Sequence, residues 1–265
     1  MTSATLTPPH EAQDLRRDAR DPYASRGAQR KAMIAREHPV VWADGTSRPP
    51  LDAALVDRYQ RDGYLVLRDV FSAAEVALLQ QELDRLRAQA EGSARAEVIT
   101  EPGSGQVRSI FAIHQSSPVF ARLAADRRLA DVAAWLLGEA IYIHQSRLNT
   151  KGGLHGKSFY WHSDFETWHA EDGMPLPRAL SMSVALTDNT PHNGPLLVLP
   201  GSHRHYVVCE GETPADNYKQ SLRVQETGVP ADEHLRRLAE AGGLVDTAGP
   251  AGSVVVFDCN LMHGS

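Results

Sequence analysis

Phe159-Tyr160-Trp161-His162-Ser163-Asp164-Phe165-Glu166-Thr167-Trp168 decides how this chain is read. It sets an imidazole and a carboxylate, His162 and Asp164, two residues apart in an aromatic-rich segment that reads as extended. Side chains alternate faces along a strand, so this spacing points both groups the same way, where they could grip one metal ion. A second imidazole, His263, follows the apolar run Val254-Val255-Val256-Phe257.

Outward from this stretch, the chain changes character near Ile141. Downstream, short strands are expected over Ile141–Leu148, Lys157–Asp164, Ala179–Thr187, Leu196–Leu199 and Ser253–Phe257, separated by turns rich in Gly, Pro and Asn. Upstream, helical patterns dominate. Leu51 to Arg61 is apolar at Leu51, Ala54, Leu55 and Tyr59 and stops at Gly63; Tyr64 to Arg68 is a short strand. Ser72, with Glu75 as its capping-box partner, opens a helix whose face is Val76, Leu79, Leu83 and Leu86. Gly103 to His114 reads as a hairpin or strand, and Ala121 to Leu137 as one or two helices closed by Gly138. Residues 1–50 are expected to form a partly irregular arm, polar and weakly helical near Gly27 to Glu37, that either lies over a domain spanning 51–265 or is partly disordered. The pattern predicts a mainly β fold, a barrel or jelly roll buttressed by N-terminal helices.

The bulk properties exclude several classes. At 265 residues and 42% hydrophobic, the chain can bury one full core. A net charge of −6, with basic clusters such as Arg127-Arg128 flanked by Asp, argues against nucleic-acid binding. Two cysteines, Cys209 and Cys259, make no disulfide framework, and the first residues carry neither a leader pattern nor an apolar span. A cytoplasmic protein is expected.

The metal reading competes with chance. Twelve histidines generate accidental pairs, and His169/Glu171 and His203/His205 are rivals. The aromatic flanks of His162/Asp164 favour it, since they would shape a water-poor pocket, whereas His169/Glu171 is expected in a polar turn. Two imidazoles and one carboxylate suit Fe(II) and leave positions for a chelating cosubstrate and O2. Zinc hydrolysis uses a similar donor set, so the metal stays open here. His203 and Cys259 read as structural.

Further stretches carry a resemblance. Gly194-Pro195-Leu196-Leu197-Val198-Leu199-Pro200-Gly201-Ser202-His203, Asp62-Gly63-Tyr64-Leu65-Val66-Leu67 and the closing His263-Gly264-Ser265 resemble phytanoyl-CoA dioxygenase-like proteins. Within that superfamily, Phe159 through Ser181 is similar to the signature of the ectoine hydroxylases, as are Asp21-Pro22-Tyr23-Ala24-Ser25-Arg26 and Pro39-Val40-Val41-Trp42. The resemblance implies a double-stranded β-helix (jelly roll, cupin-like) that uses Fe(II) and 2-oxoglutarate to hydroxylate ectoine with O2, releasing succinate and CO2, and a homodimer. Carried onto matching positions, it makes His162, Asp164 and His263 the iron ligands. It places Asn149 and Ser183 at 2-oxoglutarate, and Gln145 and Trp168 at ectoine. An indole face suits the delocalised cation of ectoine, and Gln145 and Asn149, four apart, would share one strand face.

One departure stands out. The family's Arg some ten residues beyond the distal His, which pairs with the far carboxylate of 2-oxoglutarate, has no counterpart before Ser265, and a late strand would be missing with it. The expectation is a chain that lacks its C-terminal strand and that Arg. The alternatives are an oxygenase of the same fold acting on another small substrate, and a non-catalytic metal- or ligand-binding module.

Overall fold

Caps and left-handed glycines delimit the helices in this computed structural model, which describes residues 21–26, 32–101, 104–150, 159–213 and 227–265. The helices are α1 (Ala53–Asp62), α2 (Ala73–Ala90), α3 (Ile113–Ser116), α4 (Pro118–Ala124), α5 (Arg127–Leu137), α6 (Asp164–Asp172) and α7 (Asp232–Gly242). Asp52 starts α1 by accepting from the Leu55 N–H at 2.8 Å, and Gly63, at φ 81°, ends it in a conformation that a Cβ would strain. Ser72 and Glu75 form the expected capping box on α2.

The strands are β1 (Ala32–Ala35), β2 (Tyr64–Leu67), β3 (Val98–Thr100), β4 (Val107–Phe111), β5 (Arg147–Asn149), β6 (Leu180–Val184), β7 (Leu197–Val198), β8 (His205–Val208), β9 (Val245–Asp246), β10 (Val254–Asp258) and β11 (His263–Gly264). They pair antiparallel in the orders β2-β10-β6, β11-β7-β9, β3-β4-β5 and β1-β8.

Strand β10 explains the layering. Val254 and Val256 face a core with Leu65, Tyr59, Val76, Leu129 and Leu136, so α1, α2 and α5 cover that side of the sheet. Val255 and Phe257 face the opposite way, into a cluster with Val198 and Leu261. A strand covered on both faces reads as a continuous apolar run rather than an alternating one. The face holding Val255 and Phe257 lies toward the sheet that carries His263.

Several expectations need correction. More described residues lie in helices than in strands, and the described strands pair into four small sheets. Of the stretch 141–148, only Arg147 and Leu148 are in a strand, and His114 lies in α3 rather than in a hairpin. The helical reading near Gly27 to Glu37 gives way to β1, which pairs with β8 from Ala32↔Val208 to Ala35↔His205; residues 27–31 lie outside the described set. The free edge of β8 outweighs a weak local propensity there. Tyr23, within the described residues 21–26, is fully buried against Phe165 and Tyr206. Helix α7 and strand β8 were not anticipated.

Candidate metal centre

Antiparallel pairing of two remote segments brings the imidazoles together. The Phe159 N–H donates to the Ser265 carbonyl at 2.7 Å, and His162 and His263 exchange backbone hydrogen bonds at 3.0 and 2.9 Å. Gly264 permits this approach, since a Cβ there would press on the Phe159 carbonyl and the Trp161 ring. The two rings end with centroids 4.3 Å apart, and Phe257 lies 4.9 Å from His263.

Asp164 arrives by a different route from the one expected. The chain leaves its extended path at Ser163, whose hydroxyl caps α6 by accepting from the Glu166 N–H at 3.2 Å; Asp164 is the first helical residue. Strand alternation therefore does not align the pair; a strand-to-helix corner does. The signal was legible as a Ser N-cap followed by two acids in the first turn. His169 and Glu171, expected in a turn, ride the same helix. The predicted strand from Lys157 falls partly on residues 151–158, outside the described set.

His162 Nε2 and His263 Nε2 lie 3.7 and 3.8 Å from Asp164 Oδ1, and one potential ligand atom from each residue falls within 4.8 Å of the others. The opposite ring nitrogens are committed. His162 Nδ1 is 2.7 Å from the Tyr160 carbonyl and His263 Nδ1 is 2.9 Å from the Leu261 carbonyl. A carbonyl can only accept, so both Nδ1 atoms carry the proton and both Nε2 lone pairs are bare. Ser181 Oγ donates to Asp164 Oδ2 at 2.8 Å, which leaves Oδ1 as the remaining acceptor. Two bare imidazole nitrogens and one carboxylate oxygen converging on a point fit a divalent transition metal.

Electrostatics agree. Burial, reinforced by neighbouring His263, pushes the His162 pKa down to about 4, so the ring is neutral and able to ligate near neutral pH. Burial pushes the Asp164 carboxyl up, but His263, His162, Arg147 and Ser181 outweigh it and hold it below the usual range. Arg147 was not singled out from the sequence. Its guanidinium feels both Asp164 and Arg108, and with Arg108 it lies over the Phe159 ring, 5.8 and 4.1 Å from the centroid. Ser181 was also missed. A Ser on a strand after a ligand pair has no distinguishing sequence mark.

The other predicted positions lie on surrounding elements. Ser183 is exposed on β6 and, two residues from Ser181, shares the face that reaches Asp164. Asn149 is exposed at the end of β5, and its Oδ1 accepts from Ser109 Oγ at 2.8 Å. Gln145 is exposed and precedes β5, so the shared strand face expected for Gln145 and Asn149 does not form. Trp168 stands one helical turn beyond Asp164, half-buried, with the His144 ring edge-on at 5.0 Å. His203 is buried under Gly63, away from the triad, and Cys209 and Cys259 are buried free thiols.

The family model described as phytanoyl-CoA dioxygenase (PhyH) matches residues 59–265. The ectoine dioxygenase of Sphingopyxis alaskensis is 57% identical over 245 residues, covering 92% of this chain and 80% of that protein. A crystal structure of EctD from S. alaskensis with 2-oxoglutarate and 5-hydroxyectoine superposes at a TM-score of 0.82 with 52% identity, covering 92% of this chain and 80% of that one. A second, of the same protein with bound Fe, also gives a TM-score of 0.82 at 52% identity, with coverages of 92% and 81%.

Proposed function

The chain belongs to the phytanoyl-CoA dioxygenase family, and from that membership we propose that it hydroxylates ectoine to 5-hydroxyectoine, using Fe(II), 2-oxoglutarate and O2 and releasing succinate and CO2. The observation that carries the reading is the convergence of His162, Asp164 and His263 with both Nε2 lone pairs bare. In this reading those three side chains hold the iron. Fe(II) held there with 2-oxoglutarate would supply the oxidising chemistry needed to hydroxylate an unactivated C–H bond.

The protein's own residues bind, orient and shield. The Tyr160 and Leu261 carbonyls keep the imidazoles in the ligating tautomer, and Ser181 keeps Asp164 aimed through Oδ1. We assign Ser183 and Asn149 to 2-oxoglutarate. Ser183 lies on the metal-facing side of β6, and Asn149 keeps its amide NH2 as a donor while its oxygen is bonded to Ser109. Arg147 adds positive charge beside Asp164, which suits a dianionic cosubstrate. Trp168 and Gln145 are assigned to ectoine. His144 packs on Trp168 and precedes Gln145, so the two candidates border one region, and the indole offers its face to a delocalised cation. Phe159 and Phe257 limit water around the centre.

The reading extends to a double-stranded β-helix as the complete core, supported by the likeness to EctD, and to a cytoplasmic homodimer. No described helix is long and apolar enough to cross a membrane.

The test is anaerobic reconstitution with Fe(II) and 2-oxoglutarate, followed by O2 with and without ectoine. We expect one succinate per hydroxyectoine, and no turnover in His162→Ala. Consumption of 2-oxoglutarate that ignores ectoine would favour another substrate; no consumption at all would favour a binding module.

A further inference from the structure

Two buried ion pairs tie the segment before residue 59, which precedes the stretch matched by the PhyH family model, to α6, which carries Asp164, and to the end of β10, which leads into the turn before His263. We propose that Arg36 and Arg26 are positioning residues of the metal centre, fixing from behind the turn before His263 and the first turns of α6. The proposal rests on the metal reading above and deepens it.

Arg36 uses its whole guanidinium. Nη1 donates to Asp258 Oδ1 at 2.8 Å, Nε to the His38 carbonyl at 3.0 Å, and Nη2 to the Pro39 and Pro177 carbonyls at 2.6 and 2.8 Å. Both side chains of the ion pair are only 2% exposed. Asp258 in turn shapes the loop after β10, because its Oδ1 accepts from the Asn260 N–H at 2.8 Å and its carbonyl from the Leu261 N–H at 2.9 Å. Asn260 Nδ2 then ties the loop to the His203 and His205 carbonyls.

That loop meets both ligand segments. The Cys259 carbonyl accepts from the N–H of Phe165, next to Asp164, at 2.8 Å. The Leu261 carbonyl is the acceptor that holds His263 Nδ1. A displaced loop would therefore disturb the aim of His263 and the helix start that presents Asp164.

Arg26 grips the other side of α6. It forks onto Glu166, Nε to Oε1 at 3.0 Å and Nη2 to Oε2 at 2.8 Å, and reaches Glu171 through Nη1 at 2.6 Å. Ser25 Oγ adds a bond to Glu166 Oε1 at 2.8 Å. Glu166 stands two residues beyond Asp164, in the same first turn.

Stability alone is a poor reason for this arrangement. Buried ion pairs often match or trail well-packed apolar replacements in stability, because desolvation offsets the attraction. What a planar, fully bonded guanidinium supplies is fixed geometry. Groups behind metal ligands commonly change metal affinity or activity about 10- to 100-fold when removed.

The experiment is an anaerobic Co(II) titration followed by its visible ligand-field bands, on wild type, Arg36→Met, Arg26→Met and His162→Ala. The succinate-to-hydroxyectoine ratio and the urea midpoint are measured on the same preparations. We expect about 10- to 100-fold weaker Co(II) binding in the two Met variants and a ratio that rises above one. Wild-type Co(II) affinity and coupling in both, with only the urea midpoint lowered, overturns the proposal. If Arg36→Met does not fold, Arg36→Lys takes its place, since it keeps the charge without the carbonyl contacts; wild-type affinity and coupling there overturn the proposal equally. Bands that His162→Ala leaves intact would instead undo the reading of the centre itself.

Discussion

Replacing Ser181 with Ala removes one hydrogen bond and almost nothing else, which makes it a sharp probe of the centre. Ser181 Oγ donates to Asp164 Oδ2 at 2.8 Å, and a hydrogen bond to a charged acceptor is worth about 1.5–3 kcal/mol net. The Asp164 side chain is 14% exposed, so water can partly replace the lost donor, and the lower end applies. About 1.4 kcal/mol corresponds to tenfold in affinity, and because the bond is already made without metal, its loss should weaken metal binding by at most roughly tenfold. The pH response gives an independent reading. Ser181 is one of the groups that hold the Asp164 carboxyl below its usual range against burial, so its removal raises that pKa. Protons compete with metal for the carboxylate, and the acid limb of Co(II) binding should therefore move to higher pH. Co(II) titrations of Ser181→Ala and wild type across a pH series measure both quantities. Wild-type affinity together with an unmoved acid limb would refute the role given to Ser181.

Two further outcomes concern the scaffold. Burial, opposed by the Gln60 carbonyl, pushes the His203 pKa from 6.5 down to about 4, so the folded ring stays neutral where the unfolded one takes a proton. Stability present above pH 6.5 is lost as pH falls toward about 4, by at most about 3 kcal/mol, and urea unfolding should give a shallower pH slope in His203→Gln than in wild type; equal slopes would refute this. Gly63→Ala should cost about 1–2 kcal/mol for the left-handed backbone and about 1–3 kcal/mol for the clash of its Cβ with the His203 ring. The urea midpoint of Gly63→Ala, alone and combined with His203→Ala, separates the two parts, because only the clash is relieved in the double variant.

Local signals carried much of the fold. Gly63, Ser72, Glu75 and Gly138 mark helix ends through chemistry internal to a few residues, and those ends fall where the motifs place them, whereas the first helix begins at Ala53, after the Asp52 cap, rather than at Leu51. What escaped depends on distant partners. Strand β1 exists because β8 offers an edge, and nothing between Ala32 and Ala35 encodes that edge. The three side chains of the centre were legible as residue types, but their route was not: a helix corner at Ser163, rather than strand alternation, turns Asp164 toward His162. Gln145 lost its predicted strand for a related reason, since β5 begins only at Arg147, opposite Phe111. Ser181 and Arg147 carry no local mark, and only the folded chain sets them beside the carboxylate.

The oxygens that lock His162 and His263 into one tautomer belong to the main chain. Every amino acid supplies that oxygen, so no exchange of side chain at Tyr160 or Leu261 deletes it. Sequence drift around the centre is thus buffered in the property that decides whether an imidazole can donate its lone pair. The vulnerability moves elsewhere, to whatever bends the path of residues 160–162 and 258–263. Variants that cripple such a protein should accordingly cluster among residues that steer the backbone, many of them remote in sequence and invisible to a search for reactive groups.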